Sequence, residues 1–510
     1  MPISLRAATA GPRHKWWTLG TVAVGILMST LDSGIVNVGL PTITAAFHTD
    51  LATVEWIVLA YLLTITILLL SIGRLADMLG RKQVYTAGFV VFTVGSALCG
   101  AAPTAEALIA FRVLQAVGAS MLMANGMAIT SAVFPPGERG KALGINGAVV
   151  ATGTTVGPTL GGLLIAWLGW RSTFYVNVPI GIVGTALALY VLQEKRISAA
   201  RSPGQRFDLA GALTAAVALL ALLLALTHGQ EWGWKSLPTL ALLALFAALL
   251  TAFLAVEFRH PQPMLHLGLF RVRAFALGSL AACLSFLALS ANAFLMPFYL
   301  QLILGYGPDT AGILMTPSSL TIALVAPLSG WLSDRVGARI LSSLGLAVNC
   351  LALLSLSRLG PTATYGDVLG RLLLLGVGSG LFQSPNNSSV IGSVPRESYG
   401  VASGFVSMMR NLGTVTGVAL AGAILMGSMA PVVGHAGLGA LRVGGQLPAG
   451  QQARLVAAFI RGFGNAYAVG AGIAVFGVVA SLIRGGVTSS PDRQNNRDEQ
   501  GRRQASDLPT

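Results

Sequence analysis

Two ionisable residues lie inside long apolar runs, where charged side chains are rare. Asp32 falls near the middle of a run that begins near residue 17. A carboxylate there is unfavourable unless it faces a cavity and has a partner. Removal from water favours the protonated acid and a nearby arginine favours the carboxylate, so such a group can bind a proton in one state and release it in another. Asp32 is therefore a candidate proton or substrate site, or else a structural residue that bonds its helix to a neighbour.

Arg112 is the second such residue, several positions into a run that begins near residue 105. A guanidinium cannot lose its charge under physiological conditions, so Arg112 must find an acceptor. A fixed structural pair with backbone carbonyls would provide one.

Membrane helices must position these residues. The chain has 510 residues, 54% of them hydrophobic and 10% charged, which is not the composition of an ordinary soluble protein. A bilayer core requires about 20 apolar residues per helix, and backbone groups in lipid must be satisfied within the helix. We therefore predict an all-α integral membrane protein with 14 spans. The runs begin near residues 17, 54, 84, 105, 142, 173, 209, 236, 274, 311, 340, 368, 400 and 456.

The basic residues indicate how these helices are oriented. Most of the 32 Lys and Arg fall in the N-terminus, in alternate connectors and in the C-terminal tail, and the eight Trp fall at the ends of runs. Positive residues stay inside and Trp prefers the headgroup level. Both termini are thus predicted to be cytoplasmic, and the net charge of +14 needs no nucleic-acid partner.

The sequence shows no pattern typical of disulfides, metal binding, nucleotide binding or catalysis. The three Cys are scattered in apolar sequence, which argues against disulfides or a metal site. No His/Glu cluster, nucleotide-binding loop or nucleophile motif is present, so we predict neither an enzyme nor a cofactor. The first run continues through Asp32 and reads as an uncleaved span.

An internal repeat divides the chain into two related halves. GRLADMLGRK, at residues 73–82, returns as GWLSDRVGAR at residues 330–339. Asp77 and Arg81 are spaced to pair on this short connector. The prediction is a six-helix bundle at residues 1–192, a linker with two extra helices at 193–273, a second six-helix bundle at 274–483 and a disordered cytoplasmic tail at 484–510.

Two further segments have open interpretations. Residues 257–273 mix basic and apolar positions and either lie along the inner surface as an amphipathic segment or form a plain connector. The Gly-rich, Ala-rich segment at 429–454 either caps the outer side or is loose.

Several motifs resemble those of the major facilitator superfamily, in particular its fourteen-span drug:proton antiporter branch. Besides the repeated connector, they are LDSGIVNVGLP (31–41), RVLQAVGAS (112–120), GTTVGPTLGG (153–162) and WRSTFYVNVPIG (170–181). The resemblance covers nearly the whole chain. It implies an exporter driven by the inward proton gradient, with a central cavity between two halves that rock in alternating access.

The resemblance also implies roles for particular residues. Arg112 and Gln115 take part in proton transfer with Asp32, or form a structural pair. The connectors act as a cytoplasmic latch in which Asp77 lies near the positive end of a helix in the other half. The glycine-rich motif, a small-residue stripe around a proline, acts at the interface between halves. The gating residues are Gly73, Arg74, Asp77, Gly80, Arg81, Gly153, Gly157, Pro158, Gly161, Gly162, Asp334 and Arg335.

The sequence gives less direct information about the substrate. Asp32 is the only deep carboxylate that we find, and Arg410 is a deep cation in the second half, so selectivity for dications is not supported. Aromatic, Met and amide side chains can line an adaptable pocket, although each also serves helix packing. The candidate cavity residues are Asp32, Tyr61, Asn292, Phe294, Met296, Tyr299, Gln301, Gln383, Asn387 and Arg410.

The sequence thus predicts a proton-coupled antiporter that exports amphipathic drugs or other toxic small molecules. It is expected to act as a monomer in the bacterial cytoplasmic membrane. A dedicated exporter of one metabolite or lipid, or a proton-symporting uptake carrier, would use the same scaffold.

Overall fold

The computed structural model describes residues 13–135, 138–197, 209–259, 267–394, 399–433 and 449–484, and every regular element within them is helical. A short 3-10 turn (Leu267–Arg271) and a π-helical turn (Tyr299–Ile303) flank the eleventh helix. In chain order the helices are α1 (His14–Phe47), α2 (Leu51–Leu79), α3 (Arg81–Ala101), α4 (Ala105–Val133), α5 (Arg139–Leu168), α6 (Ser172–Tyr175), α7 (Asn177–Val191), α8 (Glu194–Ile197), α9 (Leu209–Trp232), α10 (Leu237–Arg259), α11 (Arg273–Phe298), α12 (Pro308–Val336), α13 (Ala338–Leu356), α14 (Tyr365–Gly392), α15 (Tyr399–Val433) and α16 (Ala449–Ile483).

Thirteen helical segments in the described residues are long and apolar enough to cross a bilayer. This confirms the all-α prediction. The one predicted span that is not among these thirteen is α9. Its apolar part, Leu213–Leu226, is shorter, so its crossing of the bilayer stays a prediction. Helix starts agree with the sequence to within a few residues; the last helix begins at Ala449, earlier than expected.

The repeated connector is a one-residue turn in both halves. Gly80 joins α2 to α3 with φ 112°, and Gly337 joins α12 to α13 with φ 96°. A side chain is strained at such dihedrals, so glycine suits both positions. The two glycines of the repeat thus occupy equivalent places in two equivalent helix pairs.

A second repeat is visible where helices pack closely. A Cβ on Gly118 of α4 would lie 2.7 Å from Cα of Phe92 in α3, and a Cβ on Gly378 of α14 would lie 2.7 Å from N of Asn349 in α13. Small residues let the backbones of neighbouring helices approach to contact. The α3–α4 and α13–α14 pairs are therefore built alike.

The halves share one apolar core near the end of the bundle where α1 turns into α2, which we call the far end. That core includes Val36 and Leu40 of α1 together with Leu295 and Leu300 of the α11 region. Nearer the other end, separate cores form around Phe89 in the first half and around the second-half residues Phe275 and Phe405. The large apolar core that the halves share thus lies at the far end.

The two extra helices form a hairpin outside the bundles. Helix α9 packs against α10, and also against α2 of the first half and α15 of the second. Leu223 of α9 belongs to the shared core, whereas little of α10 is buried. The hairpin therefore covers the α2–α15 seam.

Some predictions lie outside the described residues. These include the disordered tail after Arg484 and the central part of the 429–454 segment, since residues 434–448 and 485–510 are not described. Most of the charged linker, at 198–208, and the 260–266 stretch of the possible amphipathic segment are also outside. The described ends of that segment are the last turn of α10 and the 3-10 turn before α11.

Candidate proton site and half-to-half interface

Asp32 is fully buried in the middle of α1 and receives hydrogen bonds from three side chains. Arg112 Nη1 donates to Oδ2 over 2.6 Å. Gln115 Nε2 and Asn177 Nδ2 donate to Oδ1 over 2.8 and 2.9 Å. Helices α1, α4 and α7 thus each contribute to one carboxylate, and a buried carboxylate is tolerated only when partnered in this way.

Arg112 is 1% exposed and is held on several sides. Besides Asp32, its Nη1 donates to Gln115 Oε1 over 2.7 Å, and its Nε donates to the carbonyl of Ile57 in α2 over 3.2 Å. The guanidinium also lies 3.9 Å from the ring centroid of Tyr61, a cation–π distance. The backbone carbonyl expected from the sequence is present, together with a carboxylate that the sequence did not assign to Arg112.

Gln115 connects the ion pair to α3. Its amide nitrogen donates to Asp32 and, over 2.6 Å, to Ser96 Oγ, while its oxygen accepts from Arg112. All of these side chains are buried. The amide therefore fixes the orientation of both charged groups at once.

In this arrangement the site cannot take up a proton without leaving a lone charge. Asp32 and Arg112 together are neutral, and protonation of Asp32 would leave an uncompensated guanidinium in a low-dielectric setting, which is costly. Asn177 Oδ1 is buried with no hydrogen-bond partner among the described residues and is a spare acceptor next to the carboxylate. Proton binding at this site is thus tied to movement of Arg112 or of its surroundings.

The glycine-rich stripe of α5 serves two interfaces rather than one. Gly153, Gly157 and Gly161 face α1 of their own half; a Cβ on Gly157 would lie 3.1 Å from Cα of Gly34. The sequence led us to expect this motif at the interface between halves. These three positions instead face α1, because the stripe is wide enough to contact two neighbouring helices.

Gly162 faces the other half. A Cβ there would lie 3.0 Å from the carbonyl carbon of Pro308, and a Cβ on Gly312 of α12 would lie 3.0 Å from that of Pro158. Thr159 and Thr316 join the same helices by a hydrogen bond between their hydroxyls. The α5–α12 seam is therefore backbone against backbone.

At the first connector, Arg81 and Glu194 fasten neighbouring helices. Arg81 Nη1 donates to the carbonyls of Ala128 and Ile197, over 3.3 and 3.2 Å. Glu194 accepts from the backbone N–H of Lys82 over 2.9 Å, at the N-terminus of α3. An acidic side chain is favourable there because of the helix dipole. These contacts lie within one half.

The remaining connector residues are only partly described. The side chains of Arg74, Asp77 and Asp334 lie outside the described residues, so the latch stays a prediction. Gly73 has open space around it, and the guanidinium of Arg335 lies 4.1 Å from the ring centroid of Trp331.

Several predicted cavity residues lie in the far-end core of this conformation. Phe294, Met296 and Tyr299 are each at most 1% exposed. Tyr299 donates from its hydroxyl to the carbonyl of Gly360 and stacks on Phe463 at 4.7 Å. Tyr61 belongs to the Arg112 environment.

The polar candidates are more accessible. Gln301 Nε2 donates to the carbonyl of Val38 over 2.9 Å and thereby joins the halves at the far end, and Asn292 accepts from Tyr467. Gln383 and Asn387 are half-buried. Arg410 is half-buried too, and it donates to Ser407 Oγ over 3.1 Å. A substrate role for the whole set stays a prediction.

Sequence reasoning missed three polar residues. Asn177 and Ser96 complete the Asp32 network; Asn177 stands inside a quoted motif, and a lone amide in an apolar stretch was the available signal. Glu55 is 2% exposed although it stands near the start of α2, so Asp32 is not the only buried carboxylate among the described residues. Its position near the start of an apolar run carries no local signal of burial, because the opposite half covers it.

Comparisons with known proteins agree with this architecture. The family model described as Major Facilitator Superfamily matches residues 22–418 and 278–504. The chain is 37% identical to the riboflavin transporter RibZ of Clostridioides difficile (strain 630), over 80% of this chain and 87% of that protein. It is 38% identical to the multidrug resistance protein Stp of Mycobacterium tuberculosis (strain ATCC 25618 / H37Rv), over 81% and 76%.

A solved structure shows the same fold. A bacterial homolog of the human lysosomal transporter Spinster, in an inward-facing and unoccupied conformation, superposes with a TM-score of 0.67 and 15% identity, covering 93% of this chain and 98% of that one. With the family model and both relatives in agreement, the chain belongs to the Major Facilitator Superfamily and is a membrane transporter rather than an enzyme.

Proposed function

We propose that this transporter is a proton-coupled antiporter that exports amphipathic drugs or other toxic small molecules by alternating access. The observation that carries the proposal is the buried Asp32, held by Arg112, Gln115 and Asn177 from two other helices. Such an ionisable residue inside a membrane protein is a functional-site hypothesis by default. Asp32 is the proton acceptor, and Arg112 and Gln115 position it.

The coupling follows from charge balance. In the observed arrangement, the carboxylate and the guanidinium neutralise each other. A proton on Asp32 releases Arg112, which then needs water, a substrate or another acceptor. Because α2 supplies both the Ile57 carbonyl and the Tyr61 ring, motion of Arg112 is transmitted to α2 and hence to the seam with α15.

The predicted orientation says which side of the membrane each end of the bundle faces. With both termini in the cytoplasm of a bacterial cell, the far end faces outward, and this conformation has its shared core on the outer side. Gly162 and Pro158 allow α5 to move against α12, and the repeated connectors act on the cytoplasmic side. The transporter works as a monomer, with the proton gradient as its energy source and no cofactor.

The relatives favour a broad export function. Besides Stp, a relative named tetracenomycin C resistance and export protein from Streptomyces glaucescens is 31% identical over 81% of this chain. The second candidate is a transporter dedicated to one metabolite. The similarity to a protein named as a riboflavin transporter is the observation that favours it.

The test uses purified protein in liposomes with an imposed pH gradient. Ethidium, riboflavin and tetracenomycin C serve as probes, and a pH-sensitive dye reports proton movement. Broad antiport predicts that several probes move against their own concentration gradients. An ionophore that dissipates the pH gradient should stop this movement. Transport of riboflavin alone would support the dedicated carrier. Transport that continues without the gradient would refute proton coupling.

A further inference from the structure

Glu55 is a second buried carboxylate, and it lies where the two halves meet. It stands five residues after Asp50, the N-cap of α2, and is 2% exposed. Its Oε1 is buried with no hydrogen-bond partner among the described residues. No ion pair to Glu55 occurs within the same residues. In contrast to Asp32, it has no donor among the described residues to stabilise a negative charge.

The surface that covers Glu55 belongs to the other half. A Cβ on Gly422 of α15 would lie 2.6 Å from the carboxyl carbon of Glu55, so the carboxyl group rests directly on the α15 backbone. Val54, a neighbour of Glu55, belongs to the apolar core shared by the halves. Helix α9 packs on both α2 and α15 and closes this seam from the side. Glu55 is enclosed only while α2 and α15 are together.

The charges nearby do not compensate it. Helix α15 has no ionisable residue from Asn411 to Val433, so this stretch offers no charged group to compensate Glu55. Toward this end of the adjoining helices, the other charged or titratable residues are Asp50, which caps α2, Arg112, which pairs with Asp32 and lies over Tyr61, His228, which stacks on Trp232 in α9, the exposed His48 and Glu106, and Glu231, whose side chain is not described. Farther along α15, Arg410 donates to Ser407 Oγ, and Arg74 and Asp77 lie in the last two turns of α2.

We infer that Glu55 is a second proton-binding site, at which protonation is linked to closure of the far end. An ionised carboxylate in an apolar seam without a partner is strongly unfavourable, whereas the neutral acid can be buried at a much smaller cost. When α2 and α15 separate, water reaches the group and it ionises. Acid on the far side therefore favours the closed far end.

The inference rests on the proposed proton-coupled cycle for its physiological meaning, since a site of this kind would make closure of the outer side follow the external pH. It is distinct from the Asp32 site. Asp32 is paired and bonded to three side chains of its own half, whereas Glu55 contacts the opposite half.

The test measures conformation, not transport, so it stands apart from the test of the proposed function. Spin labels are placed at Ala52 of α2 and Ala430 of α15, in protein whose three cysteines have been replaced, and the distance between them is measured from about pH 5 to about pH 9. We expect the distance to lengthen as the pH rises. In Glu55→Gln it should stay short at every pH.

Two controls isolate the group. Asp50→Asn and Glu106→Gln each remove a nearby but exposed carboxylate and should leave the pH response intact. A pH response that persists in Glu55→Gln, or that vanishes in either control, would overturn the inference. So would a wild-type distance that does not change with pH.

A second measurement covers the case in which Glu55→Gln does not fold. Infrared spectra of Asp32→Asn protein in liposomes should show, at low pH, the C=O stretch of a protonated carboxyl without hydrogen bonds. That band should decrease as the pH rises and shift in frequency in Glu55→Asp. Its absence at low pH would also overturn the inference.

Discussion

The two halves share a backbone plan but differ in what they bury at corresponding places. Gln115 stands three residues before Gly118, and Ser96 eight residues after Gly88. Counted from the matching glycines Gly378 and Gly345, the corresponding residues of the second half are Leu375 and Leu353, both buried and apolar. One half therefore carries a polar network that the other replaces with aliphatic packing.

The difference shows that the repeat preserves helix contacts more strictly than chemistry. In both halves the close-packing glycines and the one-residue turns are retained. Only the first half has the buried ion pair among the described residues. In the proposed cycle the first half binds and releases the proton, and the second serves as the surface against which it moves.

The largest expected effect comes from removing the acid of the network. In Asp32→Asn, proton-driven ethidium transport in liposomes should fall to the level of empty liposomes, because the amide keeps the shape but cannot ionise. Asp50→Asn, on the exposed N-cap of α2, is the matched control and should transport normally. Unimpaired gradient-driven transport by Asp32→Asn would break the assignment of the proton site.

The next effect is on stability. Arg112→Met leaves a buried carboxylate without its cation and should lower the free energy of unfolding by about 3–5 kcal/mol. Adding Asp32→Asn to the same protein should recover much of that loss, because no lone charge remains. Denaturation in detergent, followed by Trp fluorescence, measures both. Equal losses in the single and double variants would contradict a specific pair.

A smaller effect is expected from moving one polar group into the second half. Leu375→Gln places an amide at the position that corresponds to Gln115. The residue that corresponds to Ser96 is a leucine there, so the amide has no such hydrogen-bond partner and the protein should lose about 1–3 kcal/mol of stability. Leu375→Met, with a similar apolar volume, is the control and should lose less than about 1.5 kcal/mol. A neutral Leu375→Gln would show that the second half tolerates the same network.

The smallest effect compares the two connectors. Alanine at Gly337 should cost about 1–3 kcal/mol from its positive φ alone, since the surrounding space is open. Alanine at Gly80 should cost slightly more, because its Cβ would lie 2.8 Å from Glu194 Oε1. Thermal unfolding of both variants gives the difference. Identical shifts would mean that Glu194 moves aside without loss.

The fold was largely predictable because long apolar runs, basic connectors and a repeated turn each impose strong constraints in a bilayer. Asp32, Arg112 and Gln115 were identifiable because ionisable and amide groups stand out in such runs. Glu55 was not, because its burial comes from a helix more than 300 residues away in sequence. The split of the α5 stripe between α1 and α12 likewise depends on tertiary packing that no local pattern encodes.

The α9–α10 hairpin makes the two flanks of the molecule unequal toward lipid. On one flank α9 lies over the line where α2 meets α15, while on the other, where α5 meets α12, the described residues of the hairpin make no comparable contact. A compound dissolved in the hydrocarbon phase therefore meets α9 on one flank and the α5–α12 seam itself on the other. The two additional helices thus make the two lipid-facing flanks of a nearly twofold-symmetric transporter different from each other.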